Sequence, residues 1–217
     1  MNRQKFLQAL HTLDVDTLLQ VSPAAMAMKG YDQQHPYHCY DLLDHTMETV
    51  KAVDPNGLTA QEYDELLTAA FFHDIGKPAA MEIRYDKYGN ARRIYPGHPR
   101  LSMRIAIPIL RDLGFTEEEV SRIAFYIDAH DAFMKFRLDN AESTRLLINE
   151  KNVQRVISRS GRSIHDFTVL MHLCAADAAA HAEIIRDPDG NIVDTREQII
   201  DRMMHIQQIC KSLEKNS

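Results

Sequence analysis

Apolar residues recur at helical spacing along most of the 217-residue chain. Several Ser or Thr residues precede such a stretch and are followed three positions later by an acidic residue or glutamine, which is the pattern of a helix N-terminus. The predicted helices cover about residues 2–20, 38–53, 59–73, 99–113, 116–130, 142–149, 152–160, 163–185 and 195–213. The hydrophobic pattern therefore predicts an all-α protein.

One segment follows a different pattern. Between Glu82 and Tyr95, β-forming residues flank a Tyr-Gly-Asn turn, which predicts one small β-hairpin at about residues 82–95. The segment Asp187–Asn191 predicts a tight turn with a short strand on each side, and its glycine is misplaced for a calcium-binding loop. Since the sequence contains no repeat, low-complexity segment or linker, we expect a single domain over residues 1–217.

The amino-acid composition and net charge limit the functional classes to which the protein could belong. Hydrophobic residues make up 45% of the chain, but no run approaches the length of a membrane-spanning helix. The N-terminus lacks the pattern of a signal peptide, so we expect a cytoplasmic protein. The three cysteines are scattered and form neither a disulfide framework nor a zinc knuckle. The net charge of −6 argues against extended DNA binding, whereas a local cluster could still bind a small anion.

The dipeptide His73-Asp74 places two metal-ligand side chains at the end of an apolar helical stretch. Burying an imidazole and a carboxylate is unfavourable unless another group pairs with them, and a divalent metal ion would pair with both. His45 lies in the middle of a predicted helix, one turn after Leu42, and Asp177 lies among alanines. These four residues are candidate metal ligands, and the short Asp74 carboxylate is suited to bridge two ions.

The motifs Asp44-His45-Thr46, His73-Asp74-Ile75-Gly76-Lys77 and Ala175-Ala176-Asp177-Ala178 resemble those of the HD superfamily of metal-dependent phosphohydrolases. The resemblance covers about residues 35–182 and implies an HD-type helical bundle with additional N- and C-terminal helices. Its closest similarity is to the HD domain of bacterial tRNA nucleotidyltransferases. The chain lacks the glycine-rich and acidic motif of the nucleotidyltransferase domain in those enzymes.

The resemblance also implies a larger ligand set, because members that bind two metals have further histidines between the His-Asp pair and the distal aspartate. The resulting candidate ligands are His45, His73, Asp74, His98, His130 and Asp177. The cofactor would be one or two divalent transition-metal ions. Iron and manganese are favoured, and nickel, zinc, cobalt and magnesium are alternatives.

Basic residues near these motifs are candidates for binding phosphate. In the family, the residue equivalent to Lys77 can contact substrate phosphate, and we expect Lys77 and Asp74 to act in catalysis. Alternatively, the Lys77 ammonium group could interact favourably with the dipole at the C-terminus of a helix. Arg100 and Arg104 are further substrate-binding candidates, although a solvated helix face is the preferred explanation for both.

Three other polar residues have weaker functional interpretations. His38 either lines the substrate entrance or caps a helix. Asp131, beside His130, either supports the site as a general base or forms a cap or an ion pair. His181 lies one helical turn after Asp177 and could hydrogen-bond to the metal ligands from outside the ligand set.

The resemblance implies hydrolysis of a nucleotide or another small phosphate ester by metal-activated water. One alternative is a phosphodiesterase acting on cyclic nucleotides or RNA ends. Another is a non-catalytic HD module that senses a nucleotide or binds a partner, and a third is a dinuclear-iron oxygenase. The apolar face of the last helix could pack on the core or on a second subunit, so the oligomeric state stays open.

Overall fold

The computed structural model describes residues 1–34, 37, 39–85, 88–139, 143–187 and 189–216. In this part of the chain it contains eleven α-helices, one short 3-10 turn and four short strands. The helices are α1 Arg3–Thr12, α2 Val15–Leu19, α3 Pro23–Met26, α4 Leu42–Ala52, α5 Ala60–Phe72, α6 Lys77–Ala80, α7 His98–Leu113, α8 Glu117–Ala129, α9 Glu150–Ser160, α10 Ile164–Ala179 and α11 Arg196–Lys215; the 3-10 turn is Thr144–Leu146. The mostly helical fold is therefore confirmed.

The strands form two separate antiparallel hairpins. Strands β1 (Glu82–Tyr85) and β2 (Ala91–Ile94) pair with Glu82 opposite Ile94, which confirms the hairpin predicted for about residues 82–95. Strands β3 (Ile184–Arg186) and β4 (Ile192–Thr195) pair across the turn predicted at 187–191. Both sheets are small additions to a helical protein.

The predicted N-terminal helix over about residues 2–20 is wrong, because the structure has two helices there. Leu13 adopts a left-handed backbone conformation and ends α1, and the Asp14 side chain then accepts a hydrogen bond from the backbone N–H of Thr17 to begin α2. Leu10 and Leu18 are both buried and lie eight positions apart, a spacing typical of one face of a continuous helix. The apolar spacing therefore continues across the break, which explains why periodicity alone does not reveal it.

Two other predicted helices were too long. Helix α10 ends at Ala179 rather than near residue 185, because the chain turns at Ala180 and then enters β3, where Ile185 is buried. Within the predicted helix at 142–149, the described residues form only the 3-10 turn, and residues 140–142 lie outside the described part. Short segments of this kind are shaped by long-range packing that a local pattern does not contain.

The predicted helix starts are more accurate than the predicted ends. Reciprocal capping boxes begin α5, α8, α10 and α11 at Thr59, Thr116, Ser163 and Thr195. In each, the cap hydroxyl accepts from a backbone N–H three residues later, and that residue's side chain accepts from the cap backbone. The capping pairs at the start of these helices are confirmed.

Helix α5 lies at the centre of the protein and contacts α1, α4, α7, α8 and α10. Its last turn is buried on all sides, and the ring of Phe6 packs 5.8 Å from that of Phe71 and 5.7 Å from that of Phe72. Since the helix ends there, the next two side chains, His73 and Asp74, emerge inside the protein rather than at its surface.

A tight contact holds α7 against the turn that follows α5. The Gly76 backbone N–H donates a hydrogen bond to Ser102 Oγ, and a Cβ atom at Gly76 would lie 2.6 Å from the backbone nitrogen of Ser102. Any larger residue at position 76 would push α7 away. This contact places the start of α7, and with it His98, beside Asp74. Among the described helices, none is long and apolar enough to cross a membrane.

Candidate metal centre

The structure brings all six predicted ligands into one cluster, from five helices or their ends. Their positions are His45 in α4, His73 and Asp74 just after α5, His98 at the start of α7, His130 just after α8, and Asp177 in α10. All except His98 are at most 4% exposed, and the His98 side chain is 12% exposed. The cluster therefore lies at the base of a cavity, with His98 at its more open side.

Asp74 is the centre of the cluster, since its two carboxylate oxygens face different histidines. Oδ2 lies 3.1 Å from His73 Nε2 and 3.6 Å from His45 Nε2. Oδ1 lies 3.0 Å from His98 Nε2 and 3.7 Å from His130 Nε2. We call His45, His73 and Asp177 the inner group, and His98 and His130 the outer group. Asp74 joins the two groups as a bridging carboxylate would.

Asp177 completes the inner group. Its Oδ1 lies 3.0 Å from His45 Nε2 and 3.6 Å from His73 Nε2. The same oxygen is 3.4 Å from Nε2 of His181, whose ring stacks on that of His45 with centroids 5.8 Å apart. His181 therefore touches the predicted ligands, as the sequence suggested, and could itself act as a ligand together with His45 and Asp177.

The backbone fixes the orientation of four imidazole rings. In each ring Nδ1 is within hydrogen-bond distance of a main-chain carbonyl oxygen, and donation to that oxygen leaves the lone pair on Nε2. The pairs are His73 with Ala70 at 2.7 Å, His130 with Ile127 at 2.7 Å, His98 with Tyr95 at 3.0 Å and His45 with Ala180 at 3.3 Å. The Nε2 atoms of all four rings face carboxylate oxygens.

Several buried polar atoms of the cluster are incompletely paired among the described residues. Nε2 of His73 and Oδ1 of both Asp74 and Asp177 are buried without a well-formed hydrogen bond to any described residue. Such atoms are rare in folded proteins, because losing water without a replacement partner is unfavourable. A divalent cation would satisfy all of them, so the donor set fits a metal that prefers nitrogen and oxygen ligands. The buried cluster could hold a metal ion.

The charges in the cluster also favour a cation. Burial alone would lower the pKa of His73, but the carboxylates of Asp74 and Asp177 raise it to about 10. Burial opposes ionisation of Asp74, yet the nearby charges of His73 and Lys77 hold its pKa well below the usual range. The two carboxylates thus favour positive charge at Nε2 of this buried imidazole, a position that either a proton or a metal ion could take.

Lys77 lies against this cluster rather than at the end of α5. Its Nζ is 2.6 Å from Asp74 Oδ2 and donates a hydrogen bond to Gln33 Oε1 at 2.9 Å. The ammonium group also lies 5.8 Å from the centre of the Tyr95 ring. The contact with Asp74 places a fixed positive charge beside the carboxylate that joins the inner and outer groups.

A cavity of about 290 Å³ opens onto the cluster. Asp74, His98, His130, Asp177 and Lys77 form its base, with Asp131 and His181 beside them. Farther from the base, the described wall residues are Tyr37, Tyr95, Met134, Lys135 and Arg137. Lys135 and Arg137 were missed by sequence reasoning. The only available signal was their position, five and seven residues after His130, in a loop whose path local patterns do not predict.

The other predicted site residues have varied positions. Asp131 is 42% exposed, and its Oδ2 lies 3.6 Å from His98 Nε2. Arg100 forms an ion pair with Asp128 at 2.8 Å, and Arg104 is exposed. Neither arginine is among the described residues that line the cavity, in agreement with the solvated-face interpretation. His38 lies outside the described residues.

Comparison with known proteins adds no assignment. No protein-family model matches the chain, and no match is found among curated proteins. The class of site is therefore defined by its geometry, as a buried cluster of histidines and carboxylates at the base of a small cavity.

Proposed function

We propose that this protein is a metal-dependent phosphohydrolase of the HD type that acts on a nucleotide or another small phosphate ester. The observation that carries the proposal is the position of Asp74. Its two oxygens face the Nε2 atoms of two groups of histidines, and Lys77 lies 2.6 Å away. A bridging carboxylate between two sets of nitrogen ligands, next to a cation, is an arrangement suited to phosphoryl chemistry.

The residues would divide into ligands and charge-compensating groups. His45, His73, Asp74 and Asp177 would hold one divalent ion, and Asp74 with His98 and His130 would hold a second. Such ions, when bound, lower the pKa of water and neutralise phosphate oxygens. Histidine and carboxylate ligands suit several metals, of which iron and manganese are our first choices.

The remaining polar residues would handle charge and protons. Lys77 would offset the negative charge that develops on the phosphate. Asp131 is partly exposed and lines the cavity, so its carboxylate could accept the proton that the attacking water loses. Water oxygen would bond to phosphorus, the ester P–O bond would break, and the leaving alcohol oxygen would take up a proton.

The size and charge of the site support a small substrate. A cavity of about 290 Å³ is at the lower end of the range for small-molecule sites. The protein carries a net charge of −6, which disfavours a long polyanion. We therefore place small phosphomonoesters ahead of cyclic nucleotides and RNA ends.

The test is an assay of purified protein against phosphomonoesters, 2′,3′- and 3′,5′-cyclic nucleotides and an artificial diester, with manganese, iron or nickel. The double variant His73→Ala, Asp74→Ala should lose turnover, and Arg104→Gln should retain it. Turnover of diesters alone would move the proposal to a phosphodiesterase. Absence of turnover from folded, metal-loaded protein would reject the hydrolase and leave the sensing and oxygenase alternatives.

A further inference from the structure

The wall of the cavity beyond the metal centre carries a guanidinium group whose charge is only partly compensated. Arg137 Nη2 lies 3.5 Å from Asp194 Oδ2, the only carboxylate within ion-pair distance of it among the described residues. Asp194 is already paired with Arg202, whose two terminal nitrogens donate to its two oxygens at 2.9 and 2.6 Å. One carboxylate thus serves two guanidinium groups, so Asp194 alone does not compensate both charges.

We propose that Arg137 binds a second anionic group of the substrate. The preferred substrates are then small phosphomonoesters that carry another phosphate or a carboxylate. The assignment rests on the proposed function for the reacting phosphate, and it adds a specificity-determining residue outside the metal ligands. Guanidinium groups are well suited to this role because they stay charged and match the geometry of phosphate and carboxylate oxygens.

Arg137 is held in place before any ligand binds. Its Nη1 donates hydrogen bonds to the carbonyl oxygens of Met134 at 2.9 Å and Phe136 at 3.0 Å. Its own backbone N–H donates to Leu146, and its carbonyl accepts from Ile148. A side chain fixed in this way loses little conformational freedom on binding. The side chain nevertheless stays 32% exposed and lines the cavity, so an anion can approach it.

The position of Arg137 separates it from the reacting phosphate. Arg137 hydrogen-bonds to the Tyr37 hydroxyl, and the Tyr37 ring lies 5.6 Å from that of His181. His181 in turn is 3.4 Å from Asp177 Oδ1. Two aromatic rings therefore lie between Arg137 and the metal ligands on that side. A phosphate at the base of the cavity would be held by Lys77, and a second anionic group of the same molecule would reach Arg137.

The test compares ligands that differ in one anionic group. Fructose 6-phosphate and fructose 1,6-bisphosphate are one pair, and glycerol 3-phosphate and 3-phosphoglycerate are a pair for the carboxylate. Binding to manganese-loaded protein is measured from ligand-dependent shifts in melting temperature, a readout that does not need turnover. We expect wild type to bind at least one doubly anionic ligand about tenfold or more tightly than its partner, and the pair that differs identifies the second group.

The variants assign that preference to Arg137. Arg137→Gln should weaken binding of the doubly anionic ligand about tenfold to a hundredfold, and should leave the monophosphate within about twofold. Arg137→Lys keeps the charge without the planar group and should recover part of the preference. Arg100→Gln, which removes an arginine outside the cavity wall, should change neither ligand.

The outcomes separate this proposal from the phosphohydrolase. No preference in wild type, or equal weakening of both ligands in Arg137→Gln, would overturn the role of Arg137. A preference that depends on Arg137 in a protein without turnover would support the second anion site and reject the hydrolase. Turnover without such a preference would support the hydrolase and reject the second anion site.

Discussion

Two clusters of buried charge lie near the cavity, and they differ in how their charges are compensated. In one, Arg202 donates to both oxygens of Asp194, so the carboxylate is satisfied by its own chain. In the other, Asp74 and Asp177 each have a buried oxygen without a well-formed hydrogen bond to a described residue. The carboxylate of the first cluster is paired at both oxygens, whereas the second cluster could hold a cation.

This difference indicates what each cluster does. A buried ion pair with matched donors holds elements together, and here it joins the end of β4 to α11. A buried carboxylate without matched donors has an energetic penalty that a bound cation would offset. Burial of charge therefore does not identify a functional site by itself. The better indicator is whether each buried carboxylate oxygen has a matched hydrogen-bond donor.

The strongest test of the difference between the two clusters is a substitution of Asp177. We expect Asp177→Ala to lose bound metal and to reduce turnover about a thousandfold, because a metal site supplies several kcal/mol of transition-state stabilisation. Metal content is measured by plasma mass spectrometry and turnover in the same preparation. Asp128→Ala, which removes a surface acid, is the control. Full metal content in Asp177→Ala would remove Asp177 from the ligand set.

The reverse experiment removes one partner from the Asp194–Arg202 pair. Arg202→Met should lower the free energy of unfolding by about 3 kcal/mol, because it leaves the buried Asp194 carboxylate with only the Thr195 backbone N–H at 3.1 Å and Arg137 at 3.5 Å among the described residues. Metal content should stay unchanged. Urea unfolding followed by circular dichroism measures the loss, and Arg100→Met, at a surface pair, should cost less than about 1 kcal/mol. Similar small losses in both variants would refute a structural role for the Asp194–Arg202 pair.

A third prediction divides the metal cluster into its inner and outer groups. His98 is the most exposed of the six candidate ligands, so we expect His98→Ala to lower the bound metal by about one ion per chain and to spare the inner ion. Turnover should fall by less than in Asp177→Ala. Titration of the metal-free protein with manganese measures the stoichiometry. Loss of all metal in His98→Ala would mean that the two groups do not bind ions separately.

The sequence was most informative where chemistry and local pattern coincide. His73 and Asp74 follow an apolar helix directly, and Asp177 lies among alanines, so each is a polar group in a setting that requires a partner. Capping boxes gave helix starts for a similar reason, since the donors and acceptors lie within four residues of each other. In both cases the needed information is local.

The sequence failed where the outcome depends on distant contacts. Arg137 enters the cavity wall because its loop pairs with residues 146–148 and because Asp194, far along the chain, approaches its side chain. The break at Leu13 is invisible because buried positions on both sides of it keep helical spacing. Long-range packing determines both the position of Arg137 and the break at Leu13.

The smallest expected effect concerns a third charged cluster, which is exposed. His165 lies between Glu62 at 2.6 Å and Glu214 at 2.9 Å, and the hydrogen bond that its Nε2 donates to the Glu62 carboxylate raises its pKa above the ordinary value. Because the folded-state pKa is raised, the stabilisation is present at pH below about 6.5 and is lost as pH rises through the folded-state pKa. Solvent screens this cluster, so His165→Gln should lower the free energy of unfolding by less than about 1 kcal/mol at pH 5.5 and leave it unchanged at pH 9. Urea unfolding of both proteins at the two pH values measures this difference. A loss at pH 5.5 as large as that of Arg202→Met would show that burial is not what separates weak from strong charge clusters in this protein.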